Sequence, residues 1–380
     1  MDFTNKKINF EGELALIPLQ SCTELGKKID KHIIQMRKEA GLESPETFIV
    51  QAEEIRFSNG EGKTFLKESI RGKDAYIICD IGNYSCTYTM HGYEIRMGPD
   101  EHFRDIKRII SAIGGRSARL NVVTPLLYSS RQDRNKGRES MDCAIALQEL
   151  QGLGVRDIIA FDVHNSSVQN AIPLVSFENL YATYEVVRAF IEQERDMLKR
   201  KDDLLIISPD VGGMERAVYY SYVMQLDVGM FYKRRDYSRV VKGRNPIVEH
   251  TYLGQDVLGK SVIIIDDMIA TGESIVDIVH ELVAKGADKI FAVATFSFFT
   301  HGIERFDKLY EDGHLRAVYS TNLSYVPQEI LDRPWFRQLD LSTYAAKVIN
   351  NLNMNCSIEP IINSTENLKD IISKLREEKQ

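Results

Sequence analysis

Short apolar runs without alternation recur along the whole chain, and segments with helical spacing separate them. In the first half the runs are ALIPL (15–19), AYIIC (75–79), NVVTPLL (121–127) and DIIAF (157–161). In the second half they are LLIIS from 204, GMFY from 229, SVIII (261–265), KIFAVAT from 289 and AVYS from 317. A strand that is covered on both faces needs apolar side chains on both, and strands that alternate with helices pair in parallel. The pattern therefore predicts an α/β chain of two successive domains, each with a mainly parallel sheet flanked by helices.

The boundary between the two domains is placed near residue 180, although no Pro- or Ser-rich linker marks it. A length of 380 residues fits two domains. The predicted domains are 1–180 and 181–350. The tail, 351–380, can complete the first domain, and its last part, 363–380, is predicted to be a solvent-washed terminal helix.

Charge and composition narrow the class of protein. Lys and Arg number 48 against 55 Asp and Glu, a formal charge of −7, which disfavours a dedicated nucleic-acid binder. No apolar run approaches the roughly 18 residues of a membrane span, and the first residues lack the apolar core of a signal peptide. Five scattered cysteines without a CxxC pair favour reduced thiols. We therefore expect a cytoplasmic protein with no membrane and no nucleic-acid partner.

The strongest chemical motif is VIIIDDMIATGES, residues 262–274: an apolar run, two acids, and a short loop that opens a helix. Such a loop offers free backbone N–H groups and the positive helix end to a phosphate, with the hydroxyls of Thr271 and Ser274 as further donors. Asp266 and Asp267, at the carboxyl end of the strand, can accept hydrogen bonds from sugar hydroxyls. The alternative is that the acids only cap the strand and the loop is an ordinary helix start.

The same motif resembles the phosphoribosyl-pyrophosphate binding motif of type I phosphoribosyltransferase folds. By itself it does not distinguish a transferase that consumes this compound from the synthetase that makes it. Further segments resemble the ribose-phosphate diphosphokinase family, and they occur in that family's order. They are RFSNGE (56–61) with ESIRGKDAYII, YSSRQDR (128–134), FDVHN (161–165), SPDVGGMERA (208–217), YKRR (232–235) and STNLSYV from 320.

This resemblance covers roughly residues 10 to 350 and implies a fold and an activity. The fold is α/β with two similar phosphoribosyltransferase-like domains, the first carrying the ATP-site loops and the second the ribose 5-phosphate site. The activity is transfer of diphosphate from ATP to ribose 5-phosphate with Mg2+ as cofactor. The resemblance also implies a homo-oligomer, a dimer or hexamer.

Two segments of the first domain are candidates for the ATP site. Arg131 and Gln132 follow an apolar run, where parallel-sheet ligands bind, and can supply a guanidinium fork and an amide. A surface salt-bridge cluster is the alternative reading, and the resemblance assigns Arg131, Gln132 and Asp133 to the ATP site.

The FSNGE turn is the second of these segments. Phe57 offers a face for stacking on adenine, and Asn59 and Glu61 offer polar contacts, although such a segment is more often only a turn. In the family this loop reaches ATP, commonly from a neighbouring subunit. Asn59 stands where the family usually has Asp.

His164 and Asp210 are the candidate metal ligands. Each follows an apolar run closely, so each is expected near the carboxyl end of a strand. Imidazole and carboxylate groups can hold Mg2+ directly or through its waters, since this ion keeps several waters and bridges phosphates. A lone His is more often structural, and the resemblance of DVHN and SPDVGG supports the metal reading.

The stretch from Tyr232 to Asn245 concentrates basic residues and is predicted to be a loop. Lys233 and Arg235 can neutralise charge that develops as AMP leaves. The alternatives are a solvated loop or an RNA-binding patch, and the resemblance makes it the catalytic loop that closes over ATP.

The predicted mechanism places the 5-phosphate of ribose 5-phosphate on Ala270, Thr271, Gly272, Glu273 and Ser274. The ring hydroxyls meet Asp266 and Asp267, and the 1-hydroxyl attacks the β-phosphorus of ATP in line. No residue is assigned as a general base. Glu273 departs from the usual synthetase loop and adds negative charge beside a phosphate.

Three rival functions remain open from the residues. A phosphoribosyltransferase would use the same loop, but it needs a base-binding hood. A non-catalytic regulatory relative is expected to lose the loop cations or the metal ligands, which are present here. A nucleic-acid regulator would depend on the basic stretch and show salt-dependent binding without turnover.

Overall fold

The computed structural model describes residues 12–135, 137–235, 247–363 and 365–378. Its described residues form two compact units. Unit 1 contains 12–181, 322–325 and 340–362, and unit 2 contains 182–321, 326–339 and 363–378. These units are groupings by contact, and the functional domains predicted above stay a prediction. None of the helices in the described ranges is long and apolar enough to cross a membrane.

The strands of unit 1 are β1 (Leu14–Pro18), β2 (Ala52–Arg56), β3 (Gly62–Leu66), β4 (Asp74–Ile78), β5 (Thr87–Met90), β6 (Tyr93–Arg96), β7 (Arg119–Val123), β8 (Asp157–Phe161) and β9 (Ser176–Leu180). Its first helices are α1 (Thr23–Glu39), α2 (Pro99–Ile113) and α3 (Asp142–Gly152). Five strands form a parallel sheet in the order β1-β4-β7-β8-β9. The pairs β2–β3 and β5–β6 are separate antiparallel hairpins.

The helices of unit 2 and of the returning chain are α4 (Thr183–Gln193), α5 (Arg195–Leu198), α6 (Met214–Met224), α7 (Glu273–Ala284), α8 (Glu304–Glu311), α9 (Gln328–Leu331), α10 (Ser342–Asn353), α11 (Glu359–Ile362) and α12 (Thr365–Glu377). The strands are β10 (Leu204–Ser208), β11 (Asp227–Arg235), β12 (Ile247–Leu253), β13 (Ser261–Ile269), β14 (Ile290–Ser297), β15 (Ala317–Thr321) and β16 (Phe336–Leu339). Their sheet has the order β12-β11-β10-β13-β14-β15-β16, and only the β11–β12 pair is antiparallel.

The apolar runs of the sequence form the cores of both sheets. Strands β4, β8, β10 and β14 are buried along their whole length, as continuous hydrophobicity requires. In unit 1, α2 and α3 pack on one face of the sheet. On the other face Phe161 of β8 meets Tyr344 of α10, with ring centroids 6.0 Å apart. The predicted α/β class with mainly parallel sheets is confirmed.

Two irregular regions differ from simple loops. Residues 82–102 contain the β5–β6 hairpin and the start of α2. The basic stretch from Tyr232 was predicted to be a loop, and this is wrong for its first residues, because they continue β11 and pair with β12. The next residues, 236–246, lie outside the described part of the chain.

A buried polar network ties the returning chain into unit 1. The Asp74 carboxylate accepts hydrogen bonds from Arg119 Nε (2.8 Å) and from the amides of Asn121 (2.8 Å) and Asn353 (2.8 Å). Arg37 donates to the side chains of Asn350 and Asn353 at 2.8 and 2.6 Å. Asp74 is fully buried, so its charge is stabilised by protein donors such as these and not by water. Helix α10 is therefore held to the sheet by charged hydrogen bonds as well as by apolar contact.

We expect Asp74→Ala to lower the free energy of unfolding by about 3–5 kcal/mol, because it leaves the buried Arg119 guanidinium without its carboxylate. Glu24→Ala is the matched control, since Glu24 pairs with Lys27 on the surface and its side chain is 84% exposed. The control is expected to unfold like the wild type. Urea denaturation of the three proteins measures both effects. Equal stability of Asp74→Ala and wild type would contradict this account of the network.

Candidate active site

Residues 262–274, the predicted phosphate-loop motif, fold as a strand, a tight turn and the start of a helix, all within unit 2. Below, the phosphate loop means residues 270–274. Strand β13 extends to Ile269, so Asp266 and Asp267 lie inside the strand and not after it. The strand continues because Asp266 still pairs with Ala294 of β14. The turn comprises 270–272, and α7 begins at Glu273. Of the predicted loop, Glu273 and Ser274 therefore form the first residues of the helix.

Gly272 is required at the turn for two reasons. Its φ is +83°, in the left-handed region that side chains rarely adopt. A Cβ at this position would lie 2.5 Å from the Phe306 ring, which is buried in α8. The turn is thus pressed against α8. Its N–H groups, together with those of the first turn of α7, form the anion-attracting end of the helix.

The paired acids are electrostatically coupled. The backbone N–H of Asp267 donates to Asp266 Oδ1 at 2.9 Å, and that of Met268 donates to Asp267 Oδ1 at 2.9 Å. Burial raises the pKa of Asp266 well above its usual value, the charge of Asp267 raises it further, and the charge of Arg216 opposes the rise. An acid poised in this way can release its proton when hydroxyl groups or a cation arrive.

The role of Arg216 was not predicted from the sequence. It lies on α6, in the SPDVGGMERA segment, and it is the cation that opposes the rise in the pKa of Asp266. Its position six residues after Asp210, at the start of a helix that follows a strand, was the available signal. Arg216 thus offsets part of the rise in the pKa of Asp266 from within unit 2.

Asp210 follows β10, the neighbour of β13, so both strands end at the same edge of the sheet. Its Oδ1 accepts the N–H of Gly213 at 3.1 Å, and the Ser208 hydroxyl donates to its backbone carbonyl at 2.7 Å. These bonds shape the Gly-Gly turn that opens α6. The structure therefore brings Asp210, the paired acids and the phosphate loop to one edge of the unit 2 sheet.

The predicted ATP residues after β7 lie in unit 1, beside the end of β8. Arg131 and Gln132 are exposed. Asp133 accepts a hydrogen bond from the Asn165 amide and one from Arg134 at 3.1 Å. Burial alone would raise the pKa of Asp133, but these two donors lower it below its usual value. The YSSRQDR and FDVHN segments are thus joined directly, as adjacent parallel strands allow.

His164 is exposed after β8, two residues beyond a backbone distortion. Asp162 has a φ of +44°, which is rare for a non-glycine residue and concentrates at functional sites. His164 lies in unit 1 and Asp210 in unit 2, so their pairing at one metal ion stays a prediction. Among the described residues, no three His, Cys, Asp or Glu side chains cluster as a metal site.

The FSNGE segment forms the tip of the β2–β3 hairpin in unit 1. Phe57 is 48% exposed. Asn59 accepts the N–H of Glu61 at 3.1 Å and donates to its carboxylate at 3.0 Å, so the two polar side chains brace each other. Next to this tip, Arg56, the last residue of β2, pairs with Asp105 of α2. The structure brings these three predicted residues together on one rigid hairpin, and their contact with ATP stays a prediction.

The backbone of Lys233 and Arg235 lies in the last residues of β11. Lys233 pairs with His250 and Arg235 with Ile247 on β12, with a register shift just before Arg235. The rest of the predicted catalytic loop is outside the described residues. The two residues therefore occupy backbone positions at the end of an antiparallel ribbon.

Unit 1 also contains an open cavity of about 510 Å3 that none of the predicted site residues lines. The lining consists of residues 20–25, 80, 83, 85–87 and 322–325. It contains the acids Glu24 and Asp80 but no Lys, Arg or His. A phosphate would meet like charge there without compensation, so the cavity is a poor site for either expected substrate.

Asp80 fixes one wall of this cavity. Its carboxylate accepts the Ser324 hydroxyl (2.9 Å) and the backbone N–H groups of Tyr325 (2.8 Å) and Gly82 (2.9 Å). Burial raises the pKa of Asp80 to about 7, although these three donors pull it down. The segment 322–325 is thereby bound to the end of β4.

The comparisons with known proteins agree with this arrangement. A family model described as the N-terminal domain of ribose phosphate pyrophosphokinase matches residues 14–154, and a phosphoribosyl transferase domain model matches 176–315. The chain belongs to the ribose-phosphate pyrophosphokinase family. This is the diphosphokinase family that the sequence resembles, so the two halves of the chain match in the expected order.

Individual proteins that bear this family name are similar to this chain over most of its length. The ribose-phosphate pyrophosphokinase of Fusobacterium nucleatum is 26% identical over 96% of this chain and 100% of its own length. That of Wolinella succinogenes is 29% identical over 80% of this chain and 89% of its own length. The crystal structure of phosphoribosylpyrophosphate synthetase from Mycobacterium smegmatis matches with a TM-score of 0.71 and 22% identity, covering 90% of this chain and 99% of that one. The structural match shows a shared fold.

We expect Gly272→Ala to lower the free energy of unfolding by about 2–4 kcal/mol, because it combines left-handed strain with a clash against Phe306. Gly259→Ala is the matched control, since Gly259 has a φ of +69° and open space around its missing Cβ. The control isolates the strain, about 1 kcal/mol. Chemical denaturation of the two variants compares them, and equal losses would show that the turn does not press on α8.

The wild type is expected to lose stability relative to Asp80→Asn as the pH rises from about 4 to about 7. Because the folded-state pKa is raised above the unfolded value of 3.8, the folded protein binds the extra proton in this window. The full loss should be on the order of 4 kcal/mol, of which about 3 kcal/mol falls between pH 5 and pH 8, and it should be constant above the window. Urea denaturation near pH 5 and pH 8 measures it. A wild type that instead gains stability relative to Asp80→Asn as the pH rises would mean that the three donors keep the carboxylate ionised.

Proposed function

We propose that this chain transfers the β,γ-diphosphate of ATP to the 1-hydroxyl of ribose 5-phosphate, giving 5-phosphoribosyl 1-pyrophosphate and AMP for nucleotide biosynthesis. One observation carries the proposal. The strand, paired acids, tight turn and helix of 261–284 lie in a chain whose two halves match the family in order.

Ribose 5-phosphate binds in unit 2. Its 5-phosphate accepts hydrogen bonds from backbone N–H groups of residues 270–274, where the start of α7 supplies positive potential. Its ring hydroxyls donate to Asp266 and Asp267, which emerge from the same strand. The distance from turn to acids is then fixed by β13 itself, so phosphate and ring are gripped by one rigid element.

ATP binds through unit 1. The guanidinium group of Arg131 and the amide of Gln132 contact the phosphates or the base, and Asp133 is held ready by Asn165. The hairpin tip presents Phe57 for stacking on adenine, with Asn59 and Glu61 beside it. In a homo-oligomer, a dimer or hexamer in the cytoplasm, this tip serves the ATP site of a neighbouring subunit.

The donor set fits a magnesium ion that keeps most of its waters. His164 is exposed at its strand end, and one oxygen of Asp210 is engaged by Gly213, so the protein offers few direct ligands. When bound, the ion would neutralise the phosphate oxygens of ATP. Lys233 and Arg235 stabilise the negative charge that develops on the leaving AMP, and the remaining rate enhancement comes from positioning the 1-hydroxyl in line.

A phosphorus NMR time course of the purified chain with ATP, Mg2+ and ribose 5-phosphate tests the proposal. We expect AMP and 5-phosphoribosyl 1-pyrophosphate to appear in equal amounts, and only when ribose 5-phosphate is present. Lys233→Ala should slow turnover by about 10²–10³-fold, because it removes charge stabilisation from the transition state. Lys201→Ala, a surface lysine outside the site, is the control.

Two results would redirect the assignment. Binding of 5-phosphoribosyl 1-pyrophosphate without binding of ATP would favour a phosphoribosyltransferase, which the match of residues 176–315 to the general transferase domain also allows. Binding of both substrates without product would favour a non-catalytic regulatory relative.

A further inference from the structure

Glu273 adds a carboxylate to the proposed 5-phosphate loop, residues 270–274. It is the first residue of α7 and follows the turn glycine directly. A phosphate group carries negative charge, so an uncompensated carboxylate beside it weakens binding by like-charge repulsion. Either the chain binds the phosphate poorly or something compensates this charge.

Two basic side chains meet Glu273 from the segment after β14. Glu273 Oε1 lies 3.4 Å from His301 Nδ1 and 3.7 Å from Arg305 Nη1. All three residues belong to unit 2. Arg305 carries its charge at every physiological pH, whereas His301 adds charge only when its ring is protonated. The carboxylate is therefore drawn toward this segment.

The backbone that carries the two cations is fixed to the phosphate loop. The N–H of Phe298 donates to the carbonyl of Ile269 at 2.8 Å, and that of Thr300 donates to the carbonyl of Ala270 at 2.9 Å. Farther along, Phe306 fills the space beside Gly272. The segment therefore touches the loop on both sides of His301 and Arg305. The backbone that carries these cations therefore cannot move away from the loop without breaking these contacts.

We propose that Arg305, assisted by His301, is a positioning residue that holds the Glu273 carboxylate toward the 301–305 segment and so keeps the loop receptive to the 5-phosphate of ribose 5-phosphate. The inference rests on the proposed function, since it assigns a role within that same site. The inference goes beyond the proposed function by explaining how a loop with an added negative charge binds an anion. Arg305 acts through Glu273 and does not touch the substrate.

The expected effect is moderate, because the three side chains are about half exposed and water screens their charges. Removing Arg305 should weaken ribose 5-phosphate binding by about fivefold. Removing the charge of Glu273 should make Arg305 dispensable. This dependence of one residue on the other separates a positioning role from a direct contact with phosphate.

Isothermal titration of ribose 5-phosphate into the full chain, without ATP, measures the effect independently of turnover. The proteins are the wild type, Arg305→Ala, Glu273→Gln and the double variant. Arg305→Lys tests rescue by a retained charge. Lys308→Ala is the matched control, because Lys308 lies on the same helix and pairs with Asp312 at 3.1 Å. Circular dichroism confirms that each variant is folded.

The inference predicts that Arg305→Ala raises the Kd about fivefold in the wild-type background and less than twofold in the Glu273→Gln background. It also predicts that Arg305→Lys and Lys308→Ala bind like the wild type. An equal loss in both backgrounds would overturn the inference alone, because Arg305 would then act on the phosphate directly. A wild-type chain that does not bind ribose 5-phosphate would overturn the inference together with the proposed function.

Discussion

The shared edge of parallel strands determines where polar chemistry can occur in this protein. Each sheet is covered by helices, so polar side chains find space where the strands end. In unit 1, Asp133 and Asn165 follow the ends of β7 and β8, and Asn165 donates a hydrogen bond directly to Asp133. In unit 2 the ends of β10 and β13 deliver Asp210 and the phosphate loop to one edge. The direction of the parallel strands therefore determines where the candidate site lies.

Local signals in the sequence predict the fold class and the strand–turn–helix conformation of residues 262–274 correctly, because each depends on a few consecutive residues. Continuous apolar runs predict the strands β4, β10 and β13. Gly272 indicates the turn, because the left-handed backbone of that bend favours glycine. The end of β13 was misjudged, because backbone pairing with β14 continues through an acidic residue that hydrophobicity does not detect. The same reason explains why β11 continues through the basic residues after Tyr232.

Contacts between distant parts of the chain could not be predicted in this way. The charge of Arg216 acts on Asp266, about fifty residues away in the sequence, and Arg305 meets Glu273 from a helix whose charged residues look like an ordinary surface. The Ser324 contact with Asp80 spans an even longer separation. Such pairs are defined by the folded geometry, since no periodicity or spacing joins them. They include the contacts that adjust the electrostatics of the site.

The polar network around Asp74 has a consequence for the order in which the protein matures during synthesis. Its carboxylate pairs with Arg119 early in the chain, but one of its remaining donors is Asn353. Arg37 likewise cannot form its hydrogen bonds until Asn350 and Asn353 have been synthesised. A ribosome must therefore release nearly the whole of unit 2 before unit 1 can satisfy its buried charges. Unit 2 closes later still, because Arg376 of α12 donates to the carbonyls of Leu198 and Met224. Neither unit can complete its native hydrogen bonding until nearly the whole chain has been synthesised, and such long-range closures slow folding.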